Sequence, residues 1–398
     1  MKAVVAHHLW SRVGGGELVN AYVVKTLLEA GHEVIVVSTF SFDKKKYVEW
    51  FNIDLGDIKT YTLLPTVLPL FGIYQRLVFY VPLKKAVKKE KPDIVFIDNE
   101  LYKPILKLRE KMGYKLLEYI HFPFHAIEDN AGKRLPEEYK EAFREYFRKY
   151  EKGLWRYYFK FWLKLHKRVA RDNPFKTADV VLANSKYIAR LIKILWQGDA
   201  IVLNPPVKVR DFEPYNRRSF EERDDAVVMI GRISPEKRIE DVIDAIALTE
   251  TKPVLRVVGG LIPLTLSYKR FLEKRAKERG VRVEFYPNAS REELIRIATS
   301  SKVFVHATVG EHFGIAVVEG MAAGCPVIVH RSGGPYEDIV DYGRYGLTYN
   351  STEELAEKID RLMQPKTWKH YHMLSLERAK RYSEEEFARK LLRIVESI

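Results

Sequence analysis

The stretch E-H-F-G-I-A-V-V-E-G-M-A-A-G-C-P-V-I-V, residues 311–329, sets two carboxylates around a glycine-bearing turn and runs on into an apolar segment. Its spacing predicts a loop holding Glu311, a helix starting at about Gly314 with Glu319 inside it, and a strand at 327–329. The backbone N–H groups of Gly314, Ile315 and Ala316 then form a free helix N-terminus. Such an end attracts phosphate, because its donors are unpaired and the helix dipole is positive there. Two acids beside a phosphate cradle suit neutral hydroxyls, as on a sugar and a ribose, and not the phosphate itself.

Upstream of this stretch, β and α elements alternate strictly. Strand 227–230, helix 239–248, strand 254–258, strand 281–286, helix 291–300 and strand 303–306 lead into helix 314–323 and strand 327–329. This alternation calls for a parallel sheet with helices on both faces. The first half opens the same way. Strand 3–6 is followed by a turn at Gly14-Gly15-Gly16, and a helix over 17–30 carries Leu18, Ala21, Tyr22, Leu27 and Leu28 on one face. Gly31 is its C-cap, and strand 34–37 follows. Further apolar runs lie at 94–97, 116–120 and 180–183.

A chain of 398 residues, 46% of them apolar, is expected to form two domains. Residues 1–205 make the first and 206–383 the second, with Asn204-Pro205-Pro206 and the charged stretch 208–225 as linker. The last helix, within 384–398, crosses back to the first domain. The predicted fold is α/β, two doubly wound Rossmann-like domains facing across a cleft, where strand C-terminal ends gather ligands.

Net charge is +14 and lopsided: residues 1–200 carry 35 Lys+Arg against 23 Asp+Glu, and the remainder 32 against 30. A basic first half suits nucleic acid, an anionic membrane surface or a phosphorylated substrate, and equally a solvated lysine-rich face. No nucleic-acid module is visible, so nucleic acid is not an expected partner. The single cysteine, Cys325, precedes Pro326 and an apolar run; it excludes an internal disulfide, reads as a buried structural thiol and suggests a reducing compartment. The N-terminal K-A-V-V-A-H-H has no long apolar core and is expected not to be a signal peptide. The best apolar run, 63–83, is broken by Pro65, Pro69, Gln75 and Arg76, so no membrane span is expected.

In G-R-I-S-P-E-K-R, residues 231–238, Gly231 lets the chain turn after a strand and Arg232 and Lys237 supply paired charge for a diphosphate. Gly14, Gly15 and Gly16 read either as backbone donors to phosphate or as a flexible turn. His121, in I-H-F-P-F-H just past strand 116–120, is either a hydrogen-bonding group for a sugar hydroxyl or a satisfied core histidine. His125 is less well placed, and His7 and His8 are ambiguous. W-R-Y-Y-F-K-F-W-L-K-L-H-K-R-V, residues 155–169, suits a bilayer interface or a helix buried on one side with lysines outward. Asp98 and Glu100 flank Asn99 without making a metal site, and no metal-ligand cluster stands out.

With G-R-I-S-P-E-K-R followed by E-H-F-G-I-A-V-V-E, the chain resembles the family 4 glycosyltransferases, retaining, metal-independent enzymes of the GT-B fold that use nucleotide sugars. The resemblance runs from Gly14-Gly15-Gly16-Glu17 through Ala183-Asn184-Ser185 and Asn204-Pro205-Pro206 to Ser332-Gly333-Gly334-Pro335. The segments E-H-F-G-I-A-V-V-E-G-M-A-A-G and H-R-S-G-G-P-Y-E-D-I-V are similar to the α-1,2-mannosyltransferases that extend dolichol-pyrophosphate-linked oligosaccharide from GDP-mannose. The resemblance implies that Arg232 and Lys237, with Gly231 at the turn, hold the diphosphate and that Glu311 contacts the transferring sugar. It implies that Gly314, Ile315 and Ala316 donate amides, that Glu319 binds the ribose, that His121 lies near the sugar, and that Gly15 and Gly16 lie near the phosphates. It further implies a nucleotide-sugar donor with no other cofactor and no metal. The implied acceptor is a lipid-pyrophosphate-linked glycan, reached from the cytoplasmic face of an anionic membrane. A UDP- or ADP-sugar transferase acting on a soluble polysaccharide or small molecule is the alternative.

Overall fold

The computed structural model describes residues 1–67, 72–98, 102–123, 135–136, 139–140, 153–170 and 173–398. Contacts divide the chain into two compact units, one of residues 1–206 with 387–398 and one of residues 207–386.

The first unit holds a parallel sheet of seven strands in the order β3-β2-β1-β4-β5-β6-β7. These are β1 (Lys2–Ala6), β2 (Glu33–Val37), β3 (Lys59–Tyr61), β4 (Ile94–Asp98), β5 (Lys115–Ile120), β6 (Val180–Ala183) and β7 (Ile201–Val202). The central strands are almost wholly buried, as expected where helices cover both faces of a parallel sheet. Strand order reverses between β1 and β4, which is where such sheets open a crevice at their carboxyl edge. From the last helix, Glu384–Glu396, the side chains of Phe387, Leu391 and Val395 enter the core of this unit beside Val19, Val23 and Phe96.

The helix after β1 begins two residues earlier than the sequence suggests. Gly14 is its N-cap and Gly15 and Gly16 form its first turn, so the glycines start a helix rather than make a free turn. It is also buried on more than one side: Val19, Asn20, Ala21, Tyr22, Val23 and Val24 are all buried, whereas Leu28, expected on the core face, is exposed. Gly31, at φ +77°, closes it, its N–H donating to the Leu28 carbonyl.

The second unit holds six parallel strands in the order β10-β9-β8-β11-β12-β13. They are β8 (Asp224–Ile230), β9 (Val254–Gly259), β10 (Val283–Pro287), β11 (Ser301–His306), β12 (Val327–His330) and β13 (Leu347–Tyr349). Its reversal lies between β8 and β11. Residues 208–225 are no linker but part of this unit. Phe212 is fully buried, and the buried Arg223 guanidinium donates to the carbonyls of Ser301, Ala323 and Asn216. That basic residue satisfies carbonyls that the core would otherwise strand, a role its polar sequence context hides. Cys325 is buried, with its thiol pushed up to about 11 by burial against the opposing charge of Arg223, as an inert structural cysteine should be.

No described helix is long and apolar enough to cross a membrane. The 155–169 stretch lies within helix Gly153–Val169, which has an inner and an outer face. Phe159, Trp162 and His166 are buried; Leu154, Trp155, Tyr157 and Phe161 are exposed among Arg156, Lys160 and Lys164. The helix is thus buried on one side with cations outward, as the second sequence reading of this stretch expects. His125, Asn99, Glu100 and part of the 63–83 run lie outside the described residues.

Candidate active site

At the carboxyl edge of the second sheet, the loops after β8, β9 and β11 converge. Gly231 follows β8 and Gly259 ends β9; a Cβ on Gly259 would stand 2.1 Å from the Gly231 carbonyl oxygen, so the two loops touch backbone to backbone. The Gly231 N–H donates to Val258 and that of Ile233 to Gly260, which fixes the mouth of the 231–238 loop.

Lys237 and Glu311 meet here. The ammonium donates to Glu311 Oε2 at 2.8 Å, and His306, the last residue of β11, brings Nε2 to 3.5 Å from the same oxygen. Burial alone would raise the Glu311 carboxyl; the Lys237 charge and the His306 contact outweigh it and hold the group well below the usual carboxylate range. Burial lowers His306, so its imidazole is neutral at pH 7. Glu311 is thus an ionised acceptor, fit to take hydrogen bonds from hydroxyls. Lys237 is its counter-ion at only 20% side-chain exposure, and an arriving diphosphate competes with Glu311 for that charge. Arg232 stands apart, 73% exposed and paired with Glu236 at 3.0 Å.

Four residues after Glu311 the chain enters helix Ile315–Ala322. Its N-cap Gly314 has φ +99° and no side chain caps the end, so the first-turn amides of Ile315 and Ala316 are left for a ligand or water. A Cβ on Gly314 would meet Pro335 Cγ at 2.8 Å. The S-G-G-P segment lies beneath this loop: Gly334 N–H donates to the Glu311 carbonyl at 2.8 Å, and Gly310 N–H to Ser332 Oγ at 2.9 Å. One motif therefore pins the other, at a distance of about one helix-strand unit in sequence.

Glu319, one turn into the helix, is half-buried. Arg291 Nη1 donates to its Oε1, while Arg291 Nε donates to Asp211 Oδ2 at 3.0 Å and the guanidinium lies over the Phe212 ring. Arg291 is a residue the sequence reading missed; it orients the carboxylate expected to face a ribose. Replacing Glu319 by alanine is expected to weaken nucleoside-diphosphate binding by about 10- to 100-fold, the worth of hydrogen bonds to a charged group, with a smaller effect on kcat. Calorimetric titration with GDP checks this, and unchanged affinity would remove Glu319 from the site.

The first unit has its own cluster where β1 and β4 diverge. His7 Nδ1 lies 2.6 Å from Asp98 Oδ2, His121 Nε2 lies 3.3 Å from the same oxygen, and Asn20 Nδ2 donates to it at 3.3 Å. Glu17 reaches His7 Nε2 at 3.5 Å. Burial works against charge on both partners, but Asp98 pushes His7 up to about 10 and is itself held far below the usual carboxylate range by His7 and His121. His7 is therefore an imidazolium at neutral pH. His121 is neither isolated in the core nor fully open; the cluster fixes its ring. The helix start packs on it, since a Cβ on Gly16 would stand 3.5 Å from His7 Cε1 and 3.6 Å from His121 Nε2. Asp98 and Glu17 were not singled out as site residues in the sequence; the His7 partner of Asp98 lies 91 residues away in the chain.

Two doubly wound parallel sheets, each with polar side chains gathered at its switch point, define the GT-B class of glycosyltransferase. The model for "Glycosyl transferases group 1" matches residues 212–386 and that for "Glycosyltransferase Family 4" residues 13–207. The chain belongs to this glycosyltransferase family. It is 32% identical over 204 residues to the Xenopus laevis GDP-Man:Man(3)GlcNAc(2)-PP-Dol alpha-1,2-mannosyltransferase, a match covering 47% of this chain and 41% of the relative. It is 27% identical over 251 residues to the D-inositol 3-phosphate glycosyltransferase of Nocardioides, covering 56% of this chain and 55% of the relative. The matched segment thus spans about half the length of these curated relatives or less. Among solved structures, Anabaena HepE in complex with UDP and glucose superposes with a TM-score of 0.66 at 16% identity, all of both chains being covered. At that identity the likeness concerns the fold.

Proposed function

We propose that the protein transfers a hexose, mannose from GDP-mannose, with retention of configuration, onto a lipid-pyrophosphate-linked oligosaccharide. The observation that carries this reading is the Lys237–Glu311 pair beside the uncapped start of helix Ile315–Ala322. Cation and amides suit the diphosphate, and the two carboxylates suit the sugar and ribose hydroxyls. As the bond from the sugar C1 to the diphosphate oxygen breaks, charge grows on the leaving group; Lys237, Arg232 and the Ile315 and Ala316 amides stabilise it. The acceptor oxygen bonds to C1 on the same face, and its proton passes to the departing phosphate oxygen. His121 and the amides of Gly15 and Gly16 are assigned to the sugar and phosphates on the strength of the family resemblance. With positive charge supplied by side chains and a helix end, EDTA is expected to leave transfer unchanged.

The relatives' names support mannose, GDP and a dolichol-linked acceptor. The exposed Leu154, Trp155, Tyr157 and Phe161 among cations support contact with an anionic membrane surface. A second reading, a UDP- or ADP-sugar donor with a soluble acceptor, is favoured by the inositol-phosphate relative.

Incubation with labelled GDP-mannose and a polyprenyl-pyrophosphate glycan tests the first reading. Label is expected in the lipid fraction, and no transfer from any GDP-, UDP- or ADP-hexose to lipid or soluble acceptors defeats both. Flotation with vesicles separates them. Binding to phosphatidylserine vesicles that weakens steeply with salt is expected for the lipid-linked acceptor, and no association with any vesicle favours the soluble one.

A further inference from the structure

We propose that His330 is a positioning residue for the carboxylate that faces the sugar: its ring orients the Ser332 hydroxyl, and that hydroxyl holds the turn on which Glu311 stands. The inference deepens the transferase reading above and rests on it for the role of Glu311.

Glu311 lies between β11 and helix Ile315–Ala322, on a turn with glycines at 310 and 314, so bonds to other segments must set its place. One short segment supplies them. His330 ends β12, paired with Tyr349 of β13. The chain then bends back, the Ser332 N–H donating to the His330 carbonyl at 2.7 Å. In this bend the buried Ser332 accepts the Gly310 N–H at its Oγ, 2.9 Å away, and the same oxygen lies 2.8 Å from His330 Nδ1. Two residues on, the Gly334 N–H holds the Glu311 carbonyl. Gly333 between them has φ +76°, and a Cβ there would stand 2.4 Å from that carbonyl oxygen. The backbone is therefore clasped on both sides of Glu311, and on the Gly310 side the clasp depends on a hydroxyl.

A serine hydroxyl has one hydrogen to donate and two lone pairs. With a lone pair taken by Gly310, its hydrogen needs an acceptor, and among the described residues His330 Nδ1 is within reach. Nδ1 accepts when the ring is neutral and carries its hydrogen on Nε2. The surroundings keep it so. Burial and the Arg238 charge push His330 down to about 4; Arg331 and His306 act in the same direction, and Asp241 opposes them in part. An imidazolium would put a hydrogen on Nδ1 and leave the buried hydroxyl without that acceptor, at the cost of an unmade hydrogen bond. The ring also stands edge-on to Tyr349, centroids 5.5 Å apart, which fixes its plane. Arg238, whose charge helps to keep the ring neutral, ends the 231–238 loop that carries Lys237, and its Nε donates to Asp241 at 2.7 Å. His330 thus links the surroundings of one loop of the site to the geometry of the other.

Ser332→Ala and His330→Leu are each expected to lower kcat with GDP-mannose about tenfold or more, as misplacing a substrate-facing group does, and to leave calorimetric GDP affinity unchanged. Hydrogen exchange in peptides covering 308–314, followed by mass spectrometry, is expected to quicken about tenfold in both, since the Gly310 amide loses its partner. Ser332→Thr keeps the hydroxyl, and His330→Asn offers a carbonyl oxygen near the place of Nδ1; both are expected to recover kcat and slow exchange. Unchanged exchange in Ser332→Ala and His330→Leu overturns the proposal, as does quickened exchange with wild-type kcat. Equal losses of kcat and GDP affinity, or His330→Asn no better than His330→Leu, would make the pair a structural support only and also overturn it. The expected exchange pattern in a chain that neither binds GDP nor transfers a hexose would instead overturn the transferase reading and leave the His330–Ser332–Gly310 link standing.

Discussion

Replacing Lys237 by alanine is expected to lower kcat for transfer from GDP-mannose by about 10²- to 10³-fold, the usual loss when one fixed donor is withdrawn from a developing anion. The ammonium sits among backbone and half-buried side chains, so little water replaces it. Its removal also leaves Glu311 without the charge that most lowers its carboxyl against burial, and the acid shifts upward toward its ordinary range. Both effects act on the same step. Arg232→Ala should cost less, because an arginine 73% exposed and tied to Glu236 loses part of its charge to solvent and to that partner. Steady-state kinetics of the two variants check the order. Lys237→Ala with more than a third of wild-type kcat would take the lysine out of the reaction.

Asp98→Asn is expected to destabilise the fold by about 3–5 kcal/mol, the range for removing one partner of a buried ion pair. The carboxylate is 2% exposed, with His7 at 2.6 Å. His7, raised from 6.5 to about 10, contributes stability that is complete below pH 6.5 and is lost as pH rises through about 10. Asp98, depressed from 3.8, contributes stability present above that value and lost as pH falls below it. The gap between wild type and variant should therefore be widest between about pH 4 and 6.5, and narrow toward alkali. Urea unfolding near pH 5.5 and near pH 9.5 measures it. A gap that is small at both, or that widens with pH, would mean that the pair is not the ionised couple described here.

Much of this architecture is legible in the chain because parallel sheets buried on both faces leave plain apolar runs. Helix Ile239–Leu248 and strand Val180–Ala183 fall where periodicity puts them. The edge strands β3, β7 and β13 span three, two and three residues, too short to show any period. The glycines at 14–16 mislead for a physical reason. Their weak helix propensity says turn, but the packing of the following residues carries the helix back to Gly15. In the site, Glu311, Gly314 and Glu319 stand on one continuous motif and could be read together. Asp98 could not be matched with His7, 91 residues away. Nor could Arg291 be matched with Glu319 and Asp211, 28 and 80 residues away. Such partners are created by the sheet order, and only the fold brings them together.

Electrostatics tie these elements to function. In the second unit, Glu311 is kept ionised by a lysine that a diphosphate can also claim. In the first, His7 and Asp98 neutralise one another and hold the ring of His121 beside them. Each arrangement fixes its charges in a buried or half-buried place before any ligand arrives, so that little reorganisation is needed when charge develops.

The most direct measurement is a crystal structure of the chain with GDP. The diphosphate oxygens are expected within hydrogen-bonding distance of Lys237 Nζ and the Ile315 and Ala316 amides, with the ribose hydroxyls on Glu319 and the Lys237–Glu311 contact lengthened. A nucleotide bound elsewhere, with that contact still closed at 2.8 Å and the helix start occupied only by water, would contradict the account.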